Sequence, residues 1–314
     1  MRLESCAFSP GKVILLGEHF VVHGAKALVA AIDQGSTTKS SYGSVDEIVS
    51  ENLGLIWREG APVPAPLLAF KNTLDRMKEE LKISKKIRSV IHTDLPISAG
   101  LGSSSSSSVS FVASILNLVG KAVNFDHVYD MALEAERVIH GNPSGVDVFI
   151  GVNGGVHLFQ KDGYKESIAL STPVKLIIVN TGISRSTSGL IAKFSNHKRL
   201  FPAYFNGLVK ASSNLTVTGA RYLGEDRLEE FGLLMTYQHA ILAFLGVSCG
   251  ALDDIVNFSL ENGALGAKLT GAGGGGCAIV LPEQSSAHEL LEKFNDKEAF
   301  MTCIPTGGLR VWME

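Results

Sequence analysis

The hydrophobic positions of this chain form two kinds of run, which predict a mixture of strands and helices. Continuous apolar runs favour buried strands, whereas apolar positions three and four residues apart favour amphipathic helices. Predicted strands are 12–16, 87–95, 174–180, the two segments flanking the glycines at 271–276, and 309–313, and a further apolar stretch covers 21–32. Predicted helices are 66–81, the segment after residue 103, 125–139, 202–216 and 227–244.

Length and composition favour a globular protein of two domains. The chain has 314 residues, 45% hydrophobic and 19% charged, and roughly 150 residues per domain is typical. A break at Ser171-Thr172-Pro173 precedes a predicted strand, so we expect an N-terminal domain of residues 1–170 and a C-terminal domain of residues 171–314.

Charge and cysteine usage exclude several classes of protein. The formal net charge is −3 and the lysines and arginines are scattered, so nucleic acid is not an expected partner. No 18 consecutive residues are apolar, which argues against a membrane span. The four cysteines form no CxxC pair, which favours a reducing, cytoplasmic location. The oligomeric state stays open, with a homodimer as one alternative.

The glycine loop at 100–102 is a candidate phosphate site. Gly100 and Gly102 allow close backbone approach, and the serines from Ser103 onward begin a predicted helix whose N-terminus offers unpaired N–H groups and a positive dipole end. A flexible serine linker or an ordinary serine N-cap would fit the same residues. The apolar helix that follows argues against the linker.

The glycines at 271–276 formally match GxGxxG, but a strand is predicted after them instead of the helix that a dinucleotide site requires. A tight backbone loop beside a site is the better interpretation. The sequence also contains no GxxxxGK[ST] loop and no HRD and DFG pair.

Three charged residues are candidates for chemistry. Glu136 lies at the edge of the buried face of a predicted helix, Asp147 follows a turn-rich segment, and Lys12 precedes a buried strand. An acid such as Asp147 can orient a hydroxyl and accept its proton, and a lysine can stabilise the developing charge. The alternatives are a solvated glutamate, a turn-capping aspartate and a lysine at the end of a strand.

Taken together, three segments resemble the GHMP kinase superfamily: residues 10–19, PGKVILLGEH; residues 96–104, PISAGLGSS; and residues 268–276, KLTGAGGGG. Residues 17–24 and 136–147 are most similar to its mevalonate kinase family in a compact prokaryotic form. The resemblance implies an ATP- and Mg²⁺-dependent small-molecule kinase with a two-domain α+β fold. An N-terminal mixed α/β domain and a C-terminal ferredoxin-like domain would flank the active-site cleft.

The resemblance also implies roles for single residues. Asp147 would act as base or orienting acceptor, with Lys12 stabilising the alkoxide of mevalonate, and Ser104 and Glu136 would bind magnesium. The ATP phosphates would lie on Pro96, Gly100, Leu101, Gly102, Ser103, Ser104 and Ser105. The acceptor would lie near Glu18, His19, Arg185, Thr187 and Gly273.

One departure affects the metal site, because Ser105 and Ser106 stand where the superfamily usually has alanines, so the magnesium ligand is one of Ser103 to Ser105. Three other functions fit less well: a superfamily kinase for phosphomevalonate or a sugar, a related decarboxylase, and a non-catalytic ATP-binding regulatory module. No basic cluster for a second phosphate is evident in the sequence.

Overall fold

The computed structural model describes residues 4–96, 99–141, 143–161, 163–183 and 196–314. It contains a large mixed sheet and a smaller antiparallel sheet, each covered by helices. The predicted two-domain α+β fold is confirmed. No helix within these ranges is both long and apolar enough to cross a membrane.

The large sheet contains strands β1–β7 and the last strand, β12. Their bounds are β1 Ser5–Leu16, β2 Ala27–Tyr42, β3 Glu47–Ser50, β4 Leu55–Arg58, β5 Ile87–Thr93, β6 Val156–Phe159, β7 Lys165–Ser167 and β12 Arg310–Met313. The order is β12-β1-β2-β5-β3-β4, with β6 paired to β2 and β7 to β6. β1 is buried along its whole length, which explains why its apolar residues run continuously.

Four helices belong to this half: α1 Leu68–Leu81, α2 Ser103–Leu118, α3 Phe125–His140 and α4 Val146–Asn153. The first three match predicted helices. α2 is almost entirely buried, and hydroxyls join it to β2 through Ser36–Ser106, Thr38–Ser110 and Ser40–Ser114 pairs at 2.7–2.8 Å. The serines four residues apart on the helix meet alternate strand residues, so buried hydroxyls satisfy one another.

The smaller sheet has the order β11-β8-β10-β9, formed by β8 Val174–Asn180, β9 Ala264–Leu269, β10 Cys277–Pro282 and β11 Glu298–Ile304. In chain order this is 4-1-3-2 with every pair antiparallel, which is the predicted ferredoxin-like arrangement. Its helices are α5 Pro202–Gly224, α6 Leu228–Phe244, α7 Gly250–Glu261 and α8 Ala287–Glu292. A single apolar cluster includes Leu15 and Leu28 of the large sheet and Ile178 and Ile279 of the smaller one.

Two features differ from the predictions. β12 pairs with β1, from Ser5 opposite Met313 to Phe8 opposite Arg310, so the last strand of the predicted C-terminal domain, 171–314, belongs to the first sheet. Asp147, expected at the edge of a loop, lies in the first turn of α4. The boundary near residue 170 is otherwise compatible with the change of sheet at β8.

Candidate active site

A cleft of about 1080 Å³ lies at the N-terminal end of α2. Its wall combines the glycine loop before α2, the end of α3, the start of α4 and the beginning of the third glycine segment. Charged and polar lining residues include Lys12, His19, Ser103, Ser104, His140 and Asp147. All three segments on which the family resemblance rests therefore converge here.

The glycine loop is held against β1. Gly100 and Gly102 have φ values of 81° and 78°, in the left-handed region that favours glycine. A Cβ on Gly102 would lie 3.1 Å from Lys12 Cγ, and the Lys12 N–H donates to the Leu101 carbonyl at 2.8 Å. Because α2 begins at Ser103, the loop presents the helix N-terminus to the cleft, where an anion is favoured.

Lys12 and Asp147 form an ion pair at the centre of the site. Lys12 Nζ lies 3.3 Å from Asp147 Oδ1, and the side chains are 6% and 34% exposed. Lys12 Nζ also donates to the Gly100 carbonyl at 3.3 Å. Asp147 sits in the first turn of α4, where the helix dipole stabilises a negative charge. A carboxylate open to the cleft and a buried ammonium group are thus in direct contact.

Glu136 lies behind Ser104 as an almost fully buried carboxylate. Its side chain is 4% exposed, and Glu136 Oε1 and Ser105 Oγ are buried without a hydrogen-bond partner in the described part of the chain. Burial raises the pKa of Glu136, an effect that the nearby hydroxyls of Ser105 and Ser104 oppose and the charge of Asp147 reinforces. A buried carboxylate oxygen without a partner is a suitable ligand for a cation.

His19 connects the turn after β1 to the third glycine segment. Its Nε2 lies 2.9 Å from the Ala272 carbonyl, and since a carbonyl can only accept, Nε2 carries the proton. Burial lowers the pKa of His19. The residue has a φ of 60°, an uncommon backbone conformation for a side chain of this size. Thr270 adds a second connection, because its hydroxyl lies 3.1 Å from the Ile14 nitrogen and 3.2 Å from the Ile14 oxygen.

Glu18 forms an ion pair with Lys268 of β9, and both side chains are fully buried. Lys268 Nζ also donates to the Leu269 carbonyl at 2.5 Å. Burial raises the pKa of Glu18 and lowers that of Lys268, and their mutual attraction opposes both shifts. The Glu18 carboxylate therefore links residues 10–19 to residues 268–276 and does not point into the cleft.

The third glycine segment is a tight turn between β9 and β10. Gly273 has a φ of 74°, and a Cβ there would lie 2.2 Å from the Val247 oxygen. The Gly274 N–H donates to that same carbonyl at 2.9 Å. A strand follows the glycines, as predicted, so this is a structural loop beside the cleft and not a dinucleotide fingerprint.

Seven of the fifteen predicted site residues line the cleft. Those that line the cleft are Lys12, His19, Gly100, Gly102, Ser103, Ser104 and Asp147. Within the described ranges, Glu18, Pro96, Leu101, Ser105, Glu136 and Gly273 are not among its lining residues. Leu101 is a core residue that contributes its carbonyl, and Glu18 is a buried partner of Lys268. Arg185 and Thr187 lie outside the described residues.

The cleft also contains a wall that the sequence did not reveal. Beyond the glycine loop it is lined by Asn52, Leu53, Pro66, Phe70 and Ile91. The Asn52 side chain joins the β3–β4 turn to β5. Its Nδ2 donates to the Thr93 carbonyl at 2.8 Å, and its Oδ1 accepts from the Thr93 N–H at 2.7 Å. An apolar wall close to a phosphate loop suits a flat aromatic base. Its residues come from separate turns and helices, so no single motif identifies it.

Comparisons with known proteins agree with this geometry. A sequence profile of the GHMP kinases N terminal domain matches residues 69–155, and one of the GHMP kinases C terminal matches residues 220–299. A mevalonate kinase from Aeropyrum pernix is 31% identical over 99% of both chains, and one from Methanocaldococcus jannaschii is 32% identical over 92% of this chain and 96% of its own. The crystal structure of L. major mevalonate kinase in complex with R-mevalonate has a TM-score of 0.82, 27% identity and 96% coverage of both chains. With its closely spaced Lys12–Asp147 pair at the glycine loop, the chain therefore belongs to the mevalonate kinase family of the GHMP kinases.

Proposed function

We propose that this protein transfers the γ-phosphoryl group of ATP to the primary 5-hydroxyl of mevalonate, giving 5-phosphomevalonate for isoprenoid biosynthesis. The observation that carries the proposal is the Lys12–Asp147 ion pair at 3.3 Å beside a glycine loop and a helix N-terminus. The names of the full-length relatives, mevalonate kinases at about one-third identity, indicate the acceptor.

The two charged groups supply complementary chemistry. Asp147 orients the acceptor hydroxyl and takes its proton as the oxygen bonds to the γ-phosphorus. The bond between that phosphorus and the β–γ bridging oxygen breaks, and ADP leaves with the electron pair. Lys12 is held by the Gly100 carbonyl and Asp147, so its ammonium is already placed to stabilise the developing alkoxide. The α2 N-terminus stabilises the phosphate charge.

The residues at the start of α2 suit magnesium. Ser104 offers a hydroxyl in the cleft, and Glu136 offers a buried carboxylate oxygen without a partner in the described residues. Mg²⁺ commonly uses one or two such oxygens together with substrate phosphates, so we propose Ser104 and Glu136 as its ligands. When bound, the metal would neutralise charge on the β and γ phosphates. Ser104 lines the cleft and Ser105 does not, which makes Ser104 the better choice.

The acceptor is assigned from the relatives and not from the charge of the cleft. Lys12 is the single lysine or arginine among the described lining residues, but Arg185, expected near the acceptor, lies outside the described residues. The full-length relatives are mevalonate kinases, which favours mevalonate over phosphomevalonate. A purely regulatory ATP-binding module would have no need for the Asp147–Lys12 pair.

The test is ADP release by purified protein with ATP, Mg²⁺ and, separately, mevalonate, phosphomevalonate, galactose or homoserine. We expect turnover with mevalonate alone. Turnover restricted to another acceptor would refute the substrate and preserve the phosphoryl-transfer chemistry. Tight ATP binding without turnover of any acceptor would favour the regulatory module.

Location and assembly are proposed on separate grounds. The four cysteines are free, which suits a reducing compartment such as the cytoplasm.

One face of α6 carries a stripe of exposed apolar side chains. They are Leu233, Tyr237 and Phe244, which are 51%, 57% and 70% exposed. A two-fold dimer would cover such a stripe with its own copy, so we propose a homodimer. Light scattering should give a dimer mass that Tyr237→Glu reduces to a monomer mass.

A further inference from the structure

His140, the last residue of α3, contacts both proposed magnesium ligands. Its Nε2 lies 3.3 Å from Ser104 Oγ and 3.7 Å from Glu136 Oε2. Glu136 is four residues earlier on the same helix, and the His140 side chain is 54% exposed and lines the cleft. None of the roles assigned above uses this imidazole.

The serine hydroxyls of α2 differ in the group that accepts their hydrogen bond. Ser106, Ser110 and Ser114 each donate to the carbonyl three residues earlier, at 2.9–3.1 Å. Ser104 makes no such bond to the Leu101 carbonyl in the described part of the chain. Its hydroxyl lies instead 3.3 Å from His140 Nε2.

A serine oxygen that binds a cation must direct its lone pairs to the metal, and its proton must point away from it. We propose that His140 is the positioning residue that accepts this proton through Nε2, so that Ser104 Oγ faces the magnesium of the bound nucleotide. Nδ1 then carries the imidazole proton. The inference rests on the proposed kinase function, because it assigns His140 a role toward the metal of that site.

The test compares variants that keep or remove the acceptor. His140→Phe keeps a ring of similar shape but cannot accept a proton, whereas the amide oxygen of His140→Gln can. His127→Phe, in the first turn of the same helix, is the matched control. Loss of a group that orients a metal ligand typically weakens metal affinity by about 10- to 100-fold. We expect His140→Phe to raise the half-saturating Mg²⁺ concentration by that factor, with His140→Gln intermediate and the control unchanged.

A readout independent of turnover is the affinity of the protein for a non-hydrolysable ATP analogue, measured by calorimetry with Mg²⁺ and with EDTA. His140→Phe should weaken binding with Mg²⁺ and leave binding in EDTA unchanged. In a Ser104→Ala background, His140→Phe should have little further effect, because the imidazole acts through that hydroxyl.

Equal losses with Mg²⁺ and with EDTA, or fully additive effects of the two substitutions, would overturn the role of His140. An unchanged Mg²⁺ dependence in His140→Phe would do the same. Failure of the proposed function looks different: the wild-type protein would then turn over no acceptor, whatever the behaviour of His140 variants in the binding assay. Circular dichroism checks that each variant is folded, which the exposure of His140 leads us to expect.

Discussion

Replacing Lys268 with methionine should destabilise the protein strongly, because it leaves the carboxylate of Glu18 buried without its partner. Both side chains are fully buried, and the other Glu18 oxygen, Oε2, already has no hydrogen-bond partner in the described residues. Removing one member of a buried ion pair typically costs about 3–5 kcal/mol. The variant would also lose the donor to the Leu269 carbonyl.

The penalty should depend on pH. Burial raises the pKa of Glu18 above its ordinary value of 4.5, and loss of Lys268 removes the attraction that opposes this rise. A carboxyl whose pKa is higher in the folded than in the unfolded state favours folding at pH values below the pKa of the unfolded state. That contribution is lost as the pH rises through the pKa of the folded state. The destabilisation should therefore be larger at pH 8 than at pH 5.

Urea unfolding followed by circular dichroism at both pH values measures the effect. The control is the double variant Glu18→Met with Lys268→Met, which removes both charges from the same space and should recover most of the loss. A cost below about 1 kcal/mol at pH 8 would refute the reasoning, given the magnitude expected for an unpaired buried charge. So would a penalty that grows toward acid pH.

Three further predictions concern the cleft. Asp147→Asn should lower kcat by about 10²- to 10⁴-fold while ATP affinity measured by calorimetry stays near wild type; near-normal turnover would remove its assigned role. Glu136→Gln should raise the half-saturating Mg²⁺ concentration in the ADP-release assay by about 10-fold or more, and an unchanged Mg²⁺ dependence would exclude it as a ligand. Gly273→Ala should lower the free energy of unfolding in urea by about 1–3 kcal/mol, because its Cβ would lie 2.2 Å from the Val247 oxygen. Gly250→Ala is the control and should have little effect, because the space around Gly250 is open. Equal effects of the two substitutions would contradict the packing argument.

Local patterns determined the elements and the three segments that form the site. The apolar spacing predicted α1 and α3 close to their observed bounds, because burial of one helix face imposes a period on the sequence itself. Gly100 and Gly102 were also recognisable locally, because a strand-to-helix turn with positive φ favours glycine.

Tertiary structure alone decided which of these residues face the cleft and which are buried behind it. Glu18 was expected near the acceptor, yet its partner is Lys268, 250 residues away, and no local period encodes a contact of that range. Three other features are long-range contacts of the same kind: the pairing of β12 with β1, the apolar wall that contains Leu53 and Phe70, and the contact of Ser104 with His140. Each depends on segments that are separated along the chain and meet only in the folded structure, because side-chain partners across a core are set by the shape of the folded chain and not by spacing along it.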